Sequence, residues 1–139
     1  MKKNIISVVI IVIRHKNNYL LTHRVNEDDE DHHFQDHWQI PGGGQEYMER
    51  LEDTARREAK EELGLDIKIQ KFIPKVFDAI RSDWHGVLHC FLCKIIDKNQ
   101  KITLNEEADR FAWFTVEEIK NLPAFPDTYG IILEAEKLK

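Results

Sequence analysis

Apolar and polar positions along this chain repeat with the period of a strand in some stretches and with that of a helix in others. Residues 5–13 are almost all apolar and β-branched, which indicates a buried strand. The pattern predicts strands at residues 5–14, 18–24, 65–76, 77–82, 86–96 and 109–114, with a break in the third left open at Pro74. It predicts helices from about residue 49 to 63, after Thr115, and at residues 127–138.

Two of these helices carry end markers. Gly64 follows the first one, where a left-handed backbone often ends a helix. Thr115 and Glu118 have the spacing of a capping box, which begins a short helix. Strands and helices in mixed order, without repeats or linkers, predict one α/β domain over residues 1–139, with a mixed β-sheet flanked by helices.

The N-terminal apolar run looks like a signal peptide at first sight, because Lys2 and Lys3 precede it. The run is short, lacks a small-residue cleavage site and is followed by Arg14, His15 and Lys16. No segment reaches the roughly 20 apolar residues of a membrane-spanning helix. We therefore expect a strand here, a cytoplasmic location and no membrane partner.

The charge balance narrows the choice of partners. A formal net charge of −5 argues against a nucleic-acid polymer, whose partners are normally basic. A small nucleotide remains compatible, because a bound cation inverts the local field.

The two cysteines, Cys90 and Cys93, have the C-x-x-C spacing of redox and zinc motifs, and His85 and His89 are close by. They fall in a predicted strand, where residues three apart point to opposite faces. We therefore expect two buried, inert thiols rather than a disulfide or a zinc site.

The candidate chemistry lies in residues 43–65, where a glycine-rich loop leads into the first predicted helix. Glu58, Glu61 and Glu62 fall within one helical turn, so their like charges repel. Mg²⁺ prefers oxygen ligands and binds carboxylates together with substrate phosphates. The spacing indicates a metal site for a phosphate compound, with a solvated charged helix as the alternative.

The same segment resembles the signature of the Nudix hydrolases, G-x5-E-x7-R-E-U-x-E-E-x-G-U, where U is apolar. Its fixed positions are filled by Gly43, Glu49, Arg57, Glu58, Ala59, Glu61, Glu62, Gly64 and Leu65. The lead-in from Trp38 to Gly43 is also similar, as is Glu107, six residues before Trp113. A match at this many fixed positions is far more specific than a lone glycine motif.

The resemblance implies an α/β/α sandwich and Mg²⁺- or Mn²⁺-dependent hydrolysis of a nucleoside diphosphate linked to another group. It implies that Glu58 and Glu62 are the main metal ligands and that Glu61 binds the metal directly or through water. Arg57 would orient the glutamates through a salt bridge, with Glu49 as its structural support. Because Glu49 precedes Arg57 by eight residues, this contact requires a bent approach to the helix.

The resemblance leaves the general base open between Glu58 and Glu107, with Glu106 as the nearby alternative. For substrate binding, the candidates are Arg24, at the end of the second strand, and the backbone of Gly43 and Gly44. Residues that could line the groove are Asp78, Arg81, Asp83, Trp84, Phe125 and Tyr129. The acidic, histidine-containing loop at residues 27–37 has no assigned role.

These features together predict hydrolysis of a nucleoside triphosphate to a monophosphate and pyrophosphate. ADP-ribose, a nucleotide sugar or a dinucleoside polyphosphate is the alternative substrate. A non-catalytic nucleotide-binding module is the alternative of another class, and diphosphate isomerase chemistry is disfavoured by the short chain. The apolar first strand is compatible with a homodimer interface. Nothing else in the sequence decides the oligomeric state.

Overall fold

The computed structural model describes residues 3–24 and 36–139. Its strands are β1 (Ile5–His15), β2 (Asn18–Arg24), β3 (Trp38–Gln39), β4 (Gly42–Gly44), β5 (Ile67–Phe72), β6 (Phe77–Arg81), β7 (Trp84–Ile95) and β8 (Ala108–Phe114). Its helices are α1 (Leu51–Leu63), α2 (Val116–Lys120) and α3 (Thr128–Glu136). None of the helices in this part of the chain has the length and apolar character needed to cross a bilayer.

Strand β1 is the centre of a mixed sheet with the order β3-β2-β1-β7-β5. It runs parallel to β7 over nine residue pairs, from Ile5 opposite His85 to Ile13 opposite Cys93. It is antiparallel to β2 and to β4. Strand β6 pairs with β7, and β8 pairs with β2. The mixed sheet predicted from the sequence is confirmed.

The two faces of β1 belong to two different cores. Val8 and Val12 pack in a cluster with buried residues of α2 and α3. Val9, Ile11 and Ile13 pack on the other side with buried residues of α1. This division follows from the alternation of side chains along a strand. Helices therefore cover both faces of the sheet, and the predicted α/β/α sandwich is confirmed.

Helix α1 packs on the sheet through a stripe of small residues. Ala55, Ala59 and Leu63 are fully buried, as their spacing of four residues predicts, and Thr54 is buried beside them. Gly64 ends the helix with a φ of 66°, and its N–H donates to the Lys60 carbonyl at 3.0 Å. Small side chains let the helix axis approach the sheet closely, which fixes the height of the glutamates above it.

Several boundaries differ from the predictions. Helix α1 begins at Leu51 rather than near residue 49, because Met48 adopts a left-handed backbone with a φ of 67°. The strand predicted at 65–76 ends at Phe72, two residues before Pro74, which cannot donate a ladder hydrogen bond. The three glycines at 42–44 form a short strand rather than a loop. The capping box at Thr115 and Glu118 is present as predicted.

The two cysteines lie on opposite faces of β7. Cys90 belongs to the core under α3 and Cys93 to the core under α1, and both are reduced and buried. Burial raises the pKa of each thiol to about 12. His85 turns instead to Asp78, with 3.2 Å between Nε2 and Oδ1. The prediction that both thiols are buried and free of a disulfide is confirmed.

Candidate active site

Strand β4 lies directly against the acidic side of α1. The Gly42 N–H donates to Oε2 of Glu62 at 3.0 Å. A Cβ atom on Gly43 would lie within 2.4–2.6 Å of the Glu58 carboxylate, so only glycine permits this approach. Gly44 has open space at its Cβ position. The glycines therefore hold the backbone of β4 in contact with two of the three signature glutamates.

One guanidinium, that of Arg57, connects the glutamates to the glycine strand. It binds Glu49 with two parallel hydrogen bonds, 2.7 Å from Nε to Oε2 and 2.9 Å from Nη2 to Oε1. Its Nη1 donates to Glu58 at 2.8 Å and to Glu61 at 3.3 Å, while Nη2 also reaches the Gly44 carbonyl at 3.0 Å. The contacts with Glu49, and then those with Glu58, raise the pKa of Arg57 above its ordinary value, so the guanidinium stays charged.

Glu49 is held in place by more than Arg57. Its Oε1 accepts from the Thr54 hydroxyl at 2.6 Å and from the Glu46 N–H at 3.1 Å. Hydrogen bonding to Arg57, followed by that to Thr54, lowers the pKa of Glu49 to about 2. The left-handed Met48 supplies the bent approach that the eight-residue separation required. The predicted contact between Arg57 and Glu49 is therefore present.

The remaining carboxylates repel one another in a partly dry environment. Burial, then a hydrogen bond to Glu107 and the negative charges of Glu107 and Glu58, raises the pKa of Glu62 to about 9. Burial also raises the pKa of Glu58, and repulsion from Glu61 and Glu107 adds to it, although Arg57 opposes the shift. A cluster with these properties binds protons tightly unless another cation is close.

The donor set fits a hard divalent cation in its chemistry. All the groups are carboxylates, the ligands that Mg²⁺ and Mn²⁺ prefer. As the side chains stand, no three His, Cys, Asp or Glu groups in residues 3–24 and 36–139 converge to hold a metal ion. Oxygens of Glu58 and Glu62 face Arg57 and the Gly42 N–H instead. A cation at this place would supply the positive charge that a proton on Glu62 otherwise provides.

A cavity of about 170 Å³ adjoins this cluster, and Gly42 is common to both. Its floor is apolar and comes from the central strands and α3. Its lining residues are Val8, Ile10, Arg24, Gln39, Ile40, Gly42, Ala79, Arg81, Trp84, Leu88, Phe125, Pro126, Asp127, Thr128 and Ile131. Apolar walls with a few polar groups are typical of sites for small organic ligands.

Cations and aromatic rings alternate along one wall of this cavity. The guanidinium of Arg24 lies 5.4 Å from the centre of the Phe125 ring. Arg81 lies 4.8 Å from the same ring and 4.7 Å from the Trp84 ring. Asp127 is close enough to feel the charge of Arg81, although burial dominates and raises its pKa. Two guanidinium groups and one carboxyl group therefore line this cavity, together with the polar residues Gln39 and Thr128.

The structure separates the predicted site residues into two groups. Glu49, Arg57, Glu58, Glu61, Glu62 and Glu107 come together around the start and middle of α1. Arg24, Arg81, Trp84 and Phe125 line the cavity. Asp78 contacts His85, Asp83 and Glu106 are exposed, and Tyr129 packs against the core. Within the loop predicted at 27–37, residues 27–35 lie outside the described part of the chain.

Sequence reasoning missed several residues of the cavity. Gln39, Asp127 and Thr128 line it, although the sequence marks the last two only as the start of a helix. Thr54 was also missed, and its buried hydroxyl supports Glu49. A threonine among the buried positions of a helix was the available sign, because a buried hydroxyl requires a partner.

We predict that Glu49→Gln removes a stabilisation that depends on pH. The folded-state pKa of about 2 lies below the ordinary 4.5, so the ion pair stabilises the fold above pH 4.5 and is lost as pH falls towards 2. Urea unfolding of both proteins across this range should show a wild-type advantage that shrinks with acid. Because the other groups titrate in both proteins, an advantage that is constant with pH would contradict the prediction.

Comparison with known proteins agrees with this site. The family model for the NUDIX domain matches residues 3–134. The chain is 30% identical over 125 residues to nucleoside triphosphatase NudI of Klebsiella pneumoniae (strain 342), covering 83% of this chain and 85% of that protein. It is 34% identical over 96 residues to the protein of the same name from Escherichia fergusonii, covering 62% and 67%. The crystal structure of the MutT protein from Methanosarcina mazei Go1 shares the fold, with a TM-score of 0.80 and 21% sequence identity. The match covers 100% of this chain and 99% of that one. The chain therefore belongs to the Nudix family and is a Nudix hydrolase, a pyrophosphohydrolase.

Proposed function

We propose that this enzyme hydrolyses nucleoside or deoxynucleoside triphosphates to a monophosphate and pyrophosphate, with Mg²⁺ or Mn²⁺ as cofactor. The observation that carries the proposal is the adjacency of the carboxylates to the cavity, since the Gly42 N–H touches Glu62 while the same glycine lines the cavity. A nucleoside in the cavity would lie beside carboxylates suited to a metal and phosphates. Relatives named nucleoside triphosphatase, at 30% identity over most of the chain, support this substrate class.

We assign Glu58, Glu61 and Glu62 to the metal. A divalent cation, when bound, neutralises the charge that develops on the phosphate oxygens during attack. Arg57 keeps Glu58 and Glu61 oriented, and Glu49 keeps Arg57 in place. Gly43, Gly44 and Arg24 stay our candidates for contacts to the substrate.

The proton of the attacking water needs a carboxylate that is not held by Arg57. Glu58 accepts a hydrogen bond from Arg57, whereas Glu107 faces Glu62 from the loop before β8. We therefore assign the general base to Glu107, with Glu58 and then Glu106 as the alternatives. A positioned general base contributes about 10²–10⁴-fold to rate. The cytoplasmic location, the homodimer and the lack of a nucleic-acid partner stay predictions.

A substrate panel tests the proposed reaction. The protein is incubated with Mg²⁺ and with nucleoside triphosphates, ADP-ribose, nucleotide sugars and dinucleoside polyphosphates in ¹⁸O water, and all products are identified by mass. We expect monophosphate and pyrophosphate from triphosphates, and the position of ¹⁸O names the phosphorus attacked. Faster cleavage of another class would reassign the substrate. Binding without any turnover would instead indicate a nucleotide-binding module, and a rearranged diphosphate would indicate an isomerase.

We predict that Glu62→Gln lowers kcat by roughly 10²-fold or more, because it removes a metal ligand. Glu52→Gln, on the exposed side of the same helix, is the matched control and should keep wild-type rates. EDTA should abolish wild-type turnover, and Mg²⁺ should restore it. Undiminished turnover in EDTA would exclude metal dependence, and a fully active Glu62→Gln would remove this residue from the site.

We also predict that Gly43→Ala impairs catalysis more than stability. The new methyl group would displace the Glu58 carboxylate, which is the flexible end of a side chain and moves at small energetic cost. A misplacement of about 1 Å in a catalytic group can lower the rate roughly 10²-fold. Gly44→Ala is the comparison, because its Cβ meets nothing within 4 Å. Equal losses of kcat in the two variants would show that displacement of Glu58 is not the cause.

A further inference from the structure

The pairing of β2 with β8 contains a β-bulge. It lies next to both parts of the site, the carboxylate cluster and the cavity. The two strands pair regularly up to His23 opposite Arg110, but Arg24 then lies opposite Ala108. Asp109 is therefore an extra residue on β8 at this point. Bulges occur often beside active sites, where they change the direction of neighbouring side chains.

A buried imidazole spans this bulge. His23 is 4% exposed, and its Nδ1 lies 2.8 Å from Oδ1 of Asp109. Because a carboxylate has no proton to give, Nδ1 is the donor in this bond. The ring also packs edge-on against Trp38, 5.1 Å between centroids, and Trp38 packs against Phe114 at 4.9 Å. The aromatic packing fixes the ring, and the hydrogen bond ties the extra residue to it.

Residues on both sides of the bulge belong to the site. Arg24, directly after His23, lines the cavity. Its partner Ala108 is preceded immediately by Glu107, whose carboxylate lies close enough to Glu62 and Glu58 to raise the pKa of both. The backbone of Glu107 is anchored on its other side, where its N–H donates to the Asn105 side chain at 3.1 Å. The position of Glu107 therefore depends on the loop on one side and on the bulge on the other.

We propose that His23 and Asp109 are positioning residues for hydrolysis: their hydrogen bond fixes the bulge that aims Glu107 at the glutamates of α1 and Arg24 into the cavity. The proposal rests on the proposed function, in particular on Glu107 as general base. It predicts a loss in kcat through Glu107 together with a rise in KM through Arg24. A merely structural pair would lower the folded fraction and leave KM unchanged.

Four variants test the hydrogen bond itself. His23→Phe keeps a ring against Trp38 but loses the donor, and Asp109→Ala loses the acceptor. We expect each to lower kcat about 10- to 100-fold, the range seen when an orienting partner is removed. His23→Asn places an amide nitrogen near Nδ1, and Asp109→Asn retains an acceptor oxygen, so both should recover much of the activity. Thermal unfolding of each variant sets an assay temperature at which all are folded.

The matched control is another histidine–aspartate pair in the described part of the chain. Asp78 and His85 are 3.2 Å apart on β6 and β7, and neither lines the cavity. Asp78→Ala breaks this pair and should leave kcat and KM at wild-type values. Comparing the variants of the two pairs distinguishes an effect that is specific to the bulge from a general effect of losing a histidine–aspartate hydrogen bond.

A double-mutant cycle tests the route through Glu107. If Asp109 acts by aiming Glu107, Asp109→Ala should lower kcat little further in a Glu107→Gln background. Equal fold-losses in both backgrounds would overturn the proposal, as would wild-type kcat and KM in folded His23→Phe and Asp109→Ala. A fully active Glu107→Gln would also overturn this positioning proposal. Of the proposed function, it would remove only the assignment of Glu107 as general base. Failure of the proposed substrate class shows separately, as a wild-type enzyme that does not turn over triphosphates.

Discussion

The site depends on one guanidinium among several carboxylates. Without Arg57, α1 and the turn before it would bring like charges together beside the cavity, and they would repel one another. Arg57 offers a planar fork of donors that Glu49 accepts in bidentate form, with donors remaining for Glu58, Glu61 and the Gly44 carbonyl. Lysine has one point charge and could not hold these groups in fixed directions. The same group thus joins the helix, the turn before it and the glycine strand.

Local sequence was sufficient for the frame of this site, because its contacts are close in the chain. The eight-residue reach from Arg57 to Glu49 predicted a bent approach to α1, and the left-handed Met48 provides it. The alanine stripe predicted the buried face of α1, and the continuous apolar run of β1 predicted a buried strand, which helices cover on both faces. Strand β4 was not predicted, because three glycines have no side-chain pattern to read.

Several cavity residues were named from the sequence, but their arrangement and the bulge could not be predicted, because both depend on pairings between distant parts of the chain. Arg24, Arg81 and Asp127 meet only after β2, β6 and the start of α3 have taken their places. The extra residue at Asp109 is defined by register, which local pattern does not fix when both faces are partly buried. In the function we propose, the site has a chemical half, carried mainly by α1, and a recognition half, the cavity. Substitutions in the second half can change what is bound while α1 keeps its carboxylates.

The parallel pairing of β1 with β7 also determines the order in which the chain can fold. Residues 5–13 of β1 each pair with the residue 80 positions later, so the central strand cannot be completed until β7 has left the ribosome. Contacts this distant in sequence slow folding, since a long loop must close before they form. During that interval β2, β4 and α1 can cover parts of β1, but the edge of its β-branched run that pairs with β7 stays open. The edge of the central strand that β7 covers in the finished enzyme is therefore open to aggregation and to chaperones in the nascent chain.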